Sequence, residues 1–290
     1  MKKSVAALAA LFVVVTLLPA QGVTAQEEGK QQRYVVLYAR STTVESARAA
    51  IKRAGGTIVK ENAAIGVATV KARNPSFAAS AAGDSALAGA AQDRTIGRAQ
   101  PRLRLKSDIE RLDAGLAEGS AGSSAGRQAG SDPLSHFQWD MRMLDATPQG
   151  SYSKQQGEPG VTVGIIDTGI EGSHPDIAAN FNKRLSRNFT HDIPLVDGPC
   201  AEDPDGSCQD PNDVDEAGHG THVAGTVASP INNRGIAGVA PKVTLVNLRA
   251  GQDSGYFFLQ PSVDALTYAG DHGIDVVNMS YFIDPWLFNC

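Results

Sequence analysis

Residues 161–166, Val-Thr-Val-Gly-Ile-Ile, form a near-continuous apolar run. A strand half exposed to water alternates apolar and polar residues, whereas a strand covered on both faces does not. Such a run therefore predicts a parallel sheet with helices on both sides. The chain downstream continues that pattern. His219 to Ala228 reads as a helix start, Val243 to Leu248 as a strand, and Ile274 to Met279 as a second buried strand. Pro261 to Asp271 reads as a helix with proline tolerated in its first turn. This strand–helix alternation predicts an α/β fold in which functional residues collect at the carboxyl ends of strands.

The preceding half reads differently. Tyr34 to Tyr38, Thr57 to Val59, Val67 to Val70 and a segment near Thr95-Ile96 are strand candidates. Val44 to Ala54 has helical spacing and stops at Gly55-Gly56, and Phe77 to Ala91 reads as an Ala-rich helix interrupted by Gly83 and Gly89. The two halves also differ in charge. Residues 26–130 carry 16 basic and 10 acidic side chains, and residues 131–290 carry 8 and 21. The overall charge of −5 excludes a general nucleic-acid binder, which needs a basic excess. An apolar content of 42% with 20% charged residues is that of an ordinary globular chain. The Gly-, Ala- and Ser-rich stretch 115–131 is expected to be a linker between a small α+β domain (26–114) and the α/β domain (132–290). Ahead of both, Lys2 and Lys3, the apolar run Ser4 to Ala20 and the small residues Val23-Thr24-Ala25 have the form of a cleaved export signal over residues 1–25. A secreted protein without stable membrane association is expected, in a compartment that permits disulfides.

Two segments carry chemistry. Asp167 follows the apolar strand and precedes Thr168-Gly169, which places a carboxylate in a crevice; alone, it reads equally as a turn former. His219 stands between two glycines at a helix start, in Gly218-His219-Gly220-Thr221-His222. It is the candidate general base, with a buried Asp to hold its tautomer and stabilise its charged form. A zinc site on His219 and His222 lacks the His-Glu-x-x-His pattern or nearby Cys that would support it.

Together these segments resemble the subtilisin-like serine peptidases. The match is carried by residues 163–169 (Val-Gly-Ile-Ile-Asp-Thr-Gly), 219–228 (His-Gly-Thr-His-Val-Ala-Gly-Thr-Val-Ala) and 275–280 (Asp-Val-Val-Asn-Met-Ser), in the family's order of Asp before His. The resemblance implies a peptidase with an Asp-His-Ser triad, Asp167 and His219 being its first two members, acting on peptides and proteins. It implies no cofactor for the chemistry. It implies a structural Ca²⁺ held by Asp132, Asp176 and Asn232, the last in the stretch 228–241 that resembles the family's calcium loop. Ser254, Gly255 and Ser280 match segments that flank the substrate and bind it as an added strand. By position, the first half resembles the family's inhibitory propeptide, a ferredoxin-like domain that inhibits and chaperones the catalytic domain. Its basic excess is expected to help it dock on the acidic half.

Several features depart from the family. Tyr281-Phe282 stands where Leu-Gly is usual, and Phe282 is expected to reshape the pocket there. The loop Asp192 to Glu216 is long and holds nine acidic residues with no Lys or Arg; it is expected to be mainly a solvated surface loop, with a second cation site or a contact to basic substrate residues as alternatives. Cys200 and Cys208 are expected to close it as a disulfide, leaving Cys290 over. No Gly-Thr-Ser nucleophile segment occurs in the sequence. The 290 residues are therefore expected to be the N-terminal part of a longer precursor, inactive as they stand. The competing expectation is a non-catalytic pseudo-peptidase or inhibitor acting through its propeptide. An aspartic peptidase built on Asp167-Thr168-Gly169 and Asp253-Ser254-Gly255 leaves His219 without a role.

Overall fold

A computed structural model describes residues 30–99, 132–202 and 206–282. The expected export segment, the linker, the boundary at residues 114/115 and Cys290 lie outside the described residues.

The first unit is a β-α-β-β-α-β domain. Its elements are β1 (Gln32–Tyr38), α1 (Val44–Arg53), β2 (Gly56–Asn62), β3 (Val67–Ala72), α2 (Phe77–Ala82) and β4 (Leu87–Gln92). The strands lie in the order β2-β3-β1-β4, with all pairs antiparallel, which is a ferredoxin-like topology. Alternation along β1 turns Tyr34, Val36 and Tyr38 inward, where they meet Ala47, Ala50 and Ile51 of α1. The Thr43 hydroxyl caps α1 by accepting from the Ser46 amide at 3.2 Å. The helix expected over residues 77–91 is only half helix. Gly83 closes α2, Asp84 accepts from the Ala86 amide in a turn, and residues 87–92 pair with β1 instead. A row of hydrogen bonds to a ready sheet edge outweighs the helix propensity of alanine.

The second unit contains α3 (Trp139–Met143), β6 (Thr162–Ile166), β7 (Arg187–Asn188), α4 (His219–Ala228), β8 (Thr244–Arg249), β9 (Tyr256–Phe258), α5 (Leu259–Asp271) and β10 (Val276–Met279). Strands β10-β6-β8-β7 form a parallel sheet. Val163, Ile165 and Leu245 pack on Ala224 and Ala228 of α4, while Ile166, Val246 and Leu248 on the other face pack with Ala265 and Ala269 of α5. The doubly covered sheet expected from the apolar run is thus observed. Gly164 interrupts that run because a Cβ there would lie 2.6 Å from Leu248 Cδ1.

The first unit sits on α5. Strand β5 (Thr95–Arg98) leaves its sheet and pairs antiparallel with β9. The first amides of α5 are satisfied from this side: Leu259 N donates to Arg94 O, and Gln260 N donates to Asp93 Oδ1 at 2.8 Å. The Asp93 carboxyl is nonetheless pushed above its ordinary range, chiefly by burial. Thr69 Oγ1 donates to Gln260 Oε1 in a buried bond, and Lys60 pairs with Asp264 at 2.9 Å. Among the described residues, that is the one ion pair joining the units. A cavity of 430 Å³, lined in part by Lys60, Thr69, Phe189 and Tyr268, remains between them.

Candidate active site

Asp167 lies at the carboxyl end of β6 and is fully buried. Its Oδ1 accepts from the Thr168 amide at 2.7 Å and lies 2.8 Å from His219 Nδ1. An ionised carboxylate only accepts, so the Nδ1–H faces Asp167 and Nε2 is the basic nitrogen. The close approach of β6 and α4 requires Gly220, where a Cβ would lie 2.1 Å from the Gly169 carbonyl.

A second carboxylate sets the helix that carries His219. Asp215 Oδ1 accepts from Gly218 N at 2.7 Å and from the Thr168 hydroxyl at 2.9 Å. Its Oδ2 accepts from the Thr221 amide and hydroxyl. Thr168 Oγ1 in turn accepts from Gly220 N at 3.0 Å. Asp215 thereby caps α4 and ties it to the residue beside Asp167. Gly218, at φ 73°, supplies the left-handed turn into the helix. Sequence reasoning counted Asp215 among the loop acids and gave it no role. Its signal was its position four residues before His219, at a helix start lacking a Ser, Thr, Asp or Asn cap.

The acidic loop is not simply a solvated surface. Asp192 and Asp210 are buried, at 6% and 3% exposure, because Arg249 at the end of β8 reaches into the loop. Its guanidinium pairs with Asp210, with Asp192 at 3.2 Å and with Asp253 at 2.8 Å. Burial, and then the neighbouring Asp253, push the Asp192 carboxyl up to about 7. The loop itself holds no cation, and the counter-charge comes from a strand some 40 residues away. Oxygens of Asp192, Asp210 and Asp253 come within 4.8 Å of one another, close enough to share a metal ion, but the guanidinium already lies among them. The Cys200–Cys208 disulfide is present, with a Cα–Cα distance of 5.0 Å. Asp203 and Asp205 lie outside the described residues.

The other expected residues divide. Gly255 O accepts from Ala99 N at 2.8 Å, so Gly255 does pair with an extended strand. Ser254 is held by its amide on Asp197 Oδ1 at 3.0 Å, and Ser280 Oγ accepts from Asn278. The opposite edge of the cleft is formed by Phe282: Arg98 N donates to Phe282 O at 2.9 Å, and Phe282 N donates back at 3.3 Å. Residues 95–99 therefore lie between two edges. Asp132, Asp176 and Asn232, distant in sequence, come together. Asp132 Oδ1 accepts from the amides of Asn232 and Asn233, and Asp176 accepts from the Asn232 side chain and Ile236 N. Asp132 Oδ2 is buried with no hydrogen-bond partner, and burial raises its carboxyl to about 6. An oxygen donor of that kind fits a hard cation.

With this geometry in view, residues 158–282 match the Subtilase family. The subtilase segment is 38% identical over 124 residues to subtilisin DY of Bacillus licheniformis, a match covering 41% of this chain and 36% of that protein. It is 34% identical over 122 residues to thermitase of Thermoactinomyces vulgaris, covering 42% and 37%. The chain spans about a third of the length of such curated relatives. The fold is shared with fervidolysin of Fervidobacterium pennivorans (TM-score 0.54, 22% identity, 88% of this chain and 36% of that one). It is shared too with the epidermin leader peptide processing serine protease of Staphylococcus aureus (TM-score 0.55, 21% identity, 87% and 50%).

Proposed function

We propose that this chain is part of a secreted serine-type endopeptidase precursor in which Asp167 and His219 are two members of the triad. The observation that carries the reading is the 2.8 Å contact between a fully buried strand-end carboxylate and His219 Nδ1, beside a cleft already lined by an extended polypeptide strand. His219 Nε2 takes the proton of the attacking hydroxyl and returns it to the leaving amine. Asp167 stays ionised and stabilises the imidazolium between those steps. Peptide substrates bind as a strand between Gly255 and Phe282. Residues 30–99 act as an intramolecular inhibitor and folding partner, with strand β5 in the substrate's place. Export rests on residues 1–25; among the described residues no helix is long and apolar enough to cross a membrane. No cofactor takes part in the chemistry. A Ca²⁺ held by Asp132, Asp176 and Asn232 would stabilise the loop around residue 232; raising calcium then raises Tm, and Asp132→Ala removes that response.

In this reading the attacking hydroxyl belongs to a Gly-Thr-Ser segment of the family type, which the 290 residues do not contain. A fluorophosphonate probe tests it. A gene product carrying such a segment in frame labels and loses labelling in His219→Ala, while the 290-residue chain does not label. Labelling of the 290-residue chain overturns the assignment of its serines, and a genuine stop codon after Cys290 favours a pseudo-peptidase.

A further inference from the structure

The segment between β9 and Phe282 is ordered by backbone bonds, yet its side chains are not equivalent. Gly97 faces Phe257 and Arg98 faces Tyr256 across the β5–β9 ladder. Gly97 and Ala99 are buried, whereas Arg98 is exposed and lies over the Tyr256 ring at 4.9 Å. The inward positions thus hold glycine and alanine.

Backbone conformation does not explain the glycine. Gly97 is not among the residues with positive φ, so its torsions are open to any amino acid. Space explains it. A Cβ at Gly97 would lie 2.7 Å from Tyr281 Cδ2 and 3.4 Å from the Phe282 carbonyl oxygen. Tyr281 has no room to sink away, because its ring stacks on Phe257 with centroids 3.9 Å apart and planes 11° apart. Phe257 is itself fully buried and seated on Gly251, where a Cβ would lie 2.7 Å from Phe257 Cζ. Tyr281, Phe257 and the Gly251 backbone form a continuous stack from the occupant strand to the interior. Yielding space requires Tyr281 to swing out and lose its stacked partner. Phe282, expected from sequence to reshape this pocket, pairs through its backbone and is 44% exposed; Tyr281 is the residue that narrows it.

We propose that Tyr281, braced by Phe257, makes this position of the cleft a glycine subsite, so that polypeptides bound there as a strand carry glycine where Gly97 sits. The inference rests on the peptidase reading for calling the occupant a substrate, but its tests read binding alone.

Hydrogen exchange in the 290-residue chain reports the seating of β5 through the amides of Arg98, Ala99 and Phe282, which all donate across the cleft. In Gly97→Leu their protection falls at least tenfold while β6 amides stay protected, and adding Tyr281→Ala restores it. Unchanged protection in Gly97→Leu, or no recovery on adding Tyr281→Ala, overturns the proposal. If Gly97→Leu does not fold, Gly97→Ala is read in the same way, with a smaller loss that Tyr281→Ala again reverses. With the chain's own strand displaced in Gly97→Leu, fluorescent peptides Thr-Ile-Gly-Arg-Ala and Thr-Ile-Leu-Arg-Ala are titrated. The glycine peptide binds at least tenfold more tightly; equal affinities, or no binding of either, overturn the proposal. Failure of the fluorophosphonate test removes the peptidase reading and leaves these results standing.

Discussion

The two units hold themselves together by different means. In residues 30–99 one apolar cluster of tyrosines, valines, alanines and Phe77 forms the interior, and Thr69 is the buried polar residue, bonded outward to Gln260. In residues 132–282 the apolar clusters are threaded by buried carboxylates: Asp132, Asp167, Asp176, Asp192 and Asp210, together with Arg249. A buried apolar cluster tolerates substitutions that keep volume, whereas a buried charge network fails when one partner is lost. The unit that carries Asp167 and His219 has the more fragile interior.

That contrast is broken or sharpened by experiments of decreasing effect. In a product that carries the nucleophile segment, His219→Ala is expected to lower kcat by about 10⁶-fold and Asp167→Ala by about 10⁴-fold, with folding intact by circular dichroism. Arg249→Met leaves the buried carboxylates uncompensated and is expected to destabilise the second unit by about 3–5 kcal/mol in denaturant titration. Phe77→Ala, by contrast, is expected to cost about 3–5 kcal/mol in the first unit through a cavity alone. The two variants are separated by pH: the Arg249→Met loss shrinks as carboxylates are protonated, and the Phe77→Ala loss does not. If both respond alike, the proposed difference between the interiors is wrong.

A smaller effect follows from Asp192. The folded state holds its proton up to about pH 7, while an ordinary aspartate releases it near 3.8. Proton binding is then stronger in the fold, so stability falls as pH rises from 4 through 7. Melts at pH 5 and pH 8 are expected to differ by about 5 °C in favour of pH 5, and Asp192→Asn to remove most of the difference. The smallest effect belongs to the Lys60–Asp264 pair, whose lysine is exposed: Lys60→Gln is expected to weaken docking of the first unit by about 0.5 kcal/mol, a loss that shrinks in high salt.

What the sequence made legible tracks the same division. Periodicity and glycine placement located β6, α4 and the sheet between its helices, since those depend on local pattern and burial. The meeting of Asp167 with His219, at 2.8 Å, was legible because each stands at an element boundary among small residues and the two segments together resemble one family pattern. Asp215 and Arg249 were not, because their meaning lies in partners brought by folding: Asp215 needs the start of α4, and Arg249 needs a loop some 40 residues upstream. The α5 amides taken up by Asp93 and Arg94 are likewise invisible to a reading that seeks caps nearby. The 77–91 helix failed for the same reason, its second half having been claimed by β1.

The pairing of β5 with β9 and Phe282 has a kinetic consequence. In the reading proposed above, that strand competes with a free polypeptide at an effective concentration on the order of millimolar while the chain is continuous. A single cut within residues 100–131 would end that covalent tie and convert the occupant into a dilutable ligand. Occupancy would then depend on how much protein is present, so the same molecule would be shut when concentrated and open when dispersed.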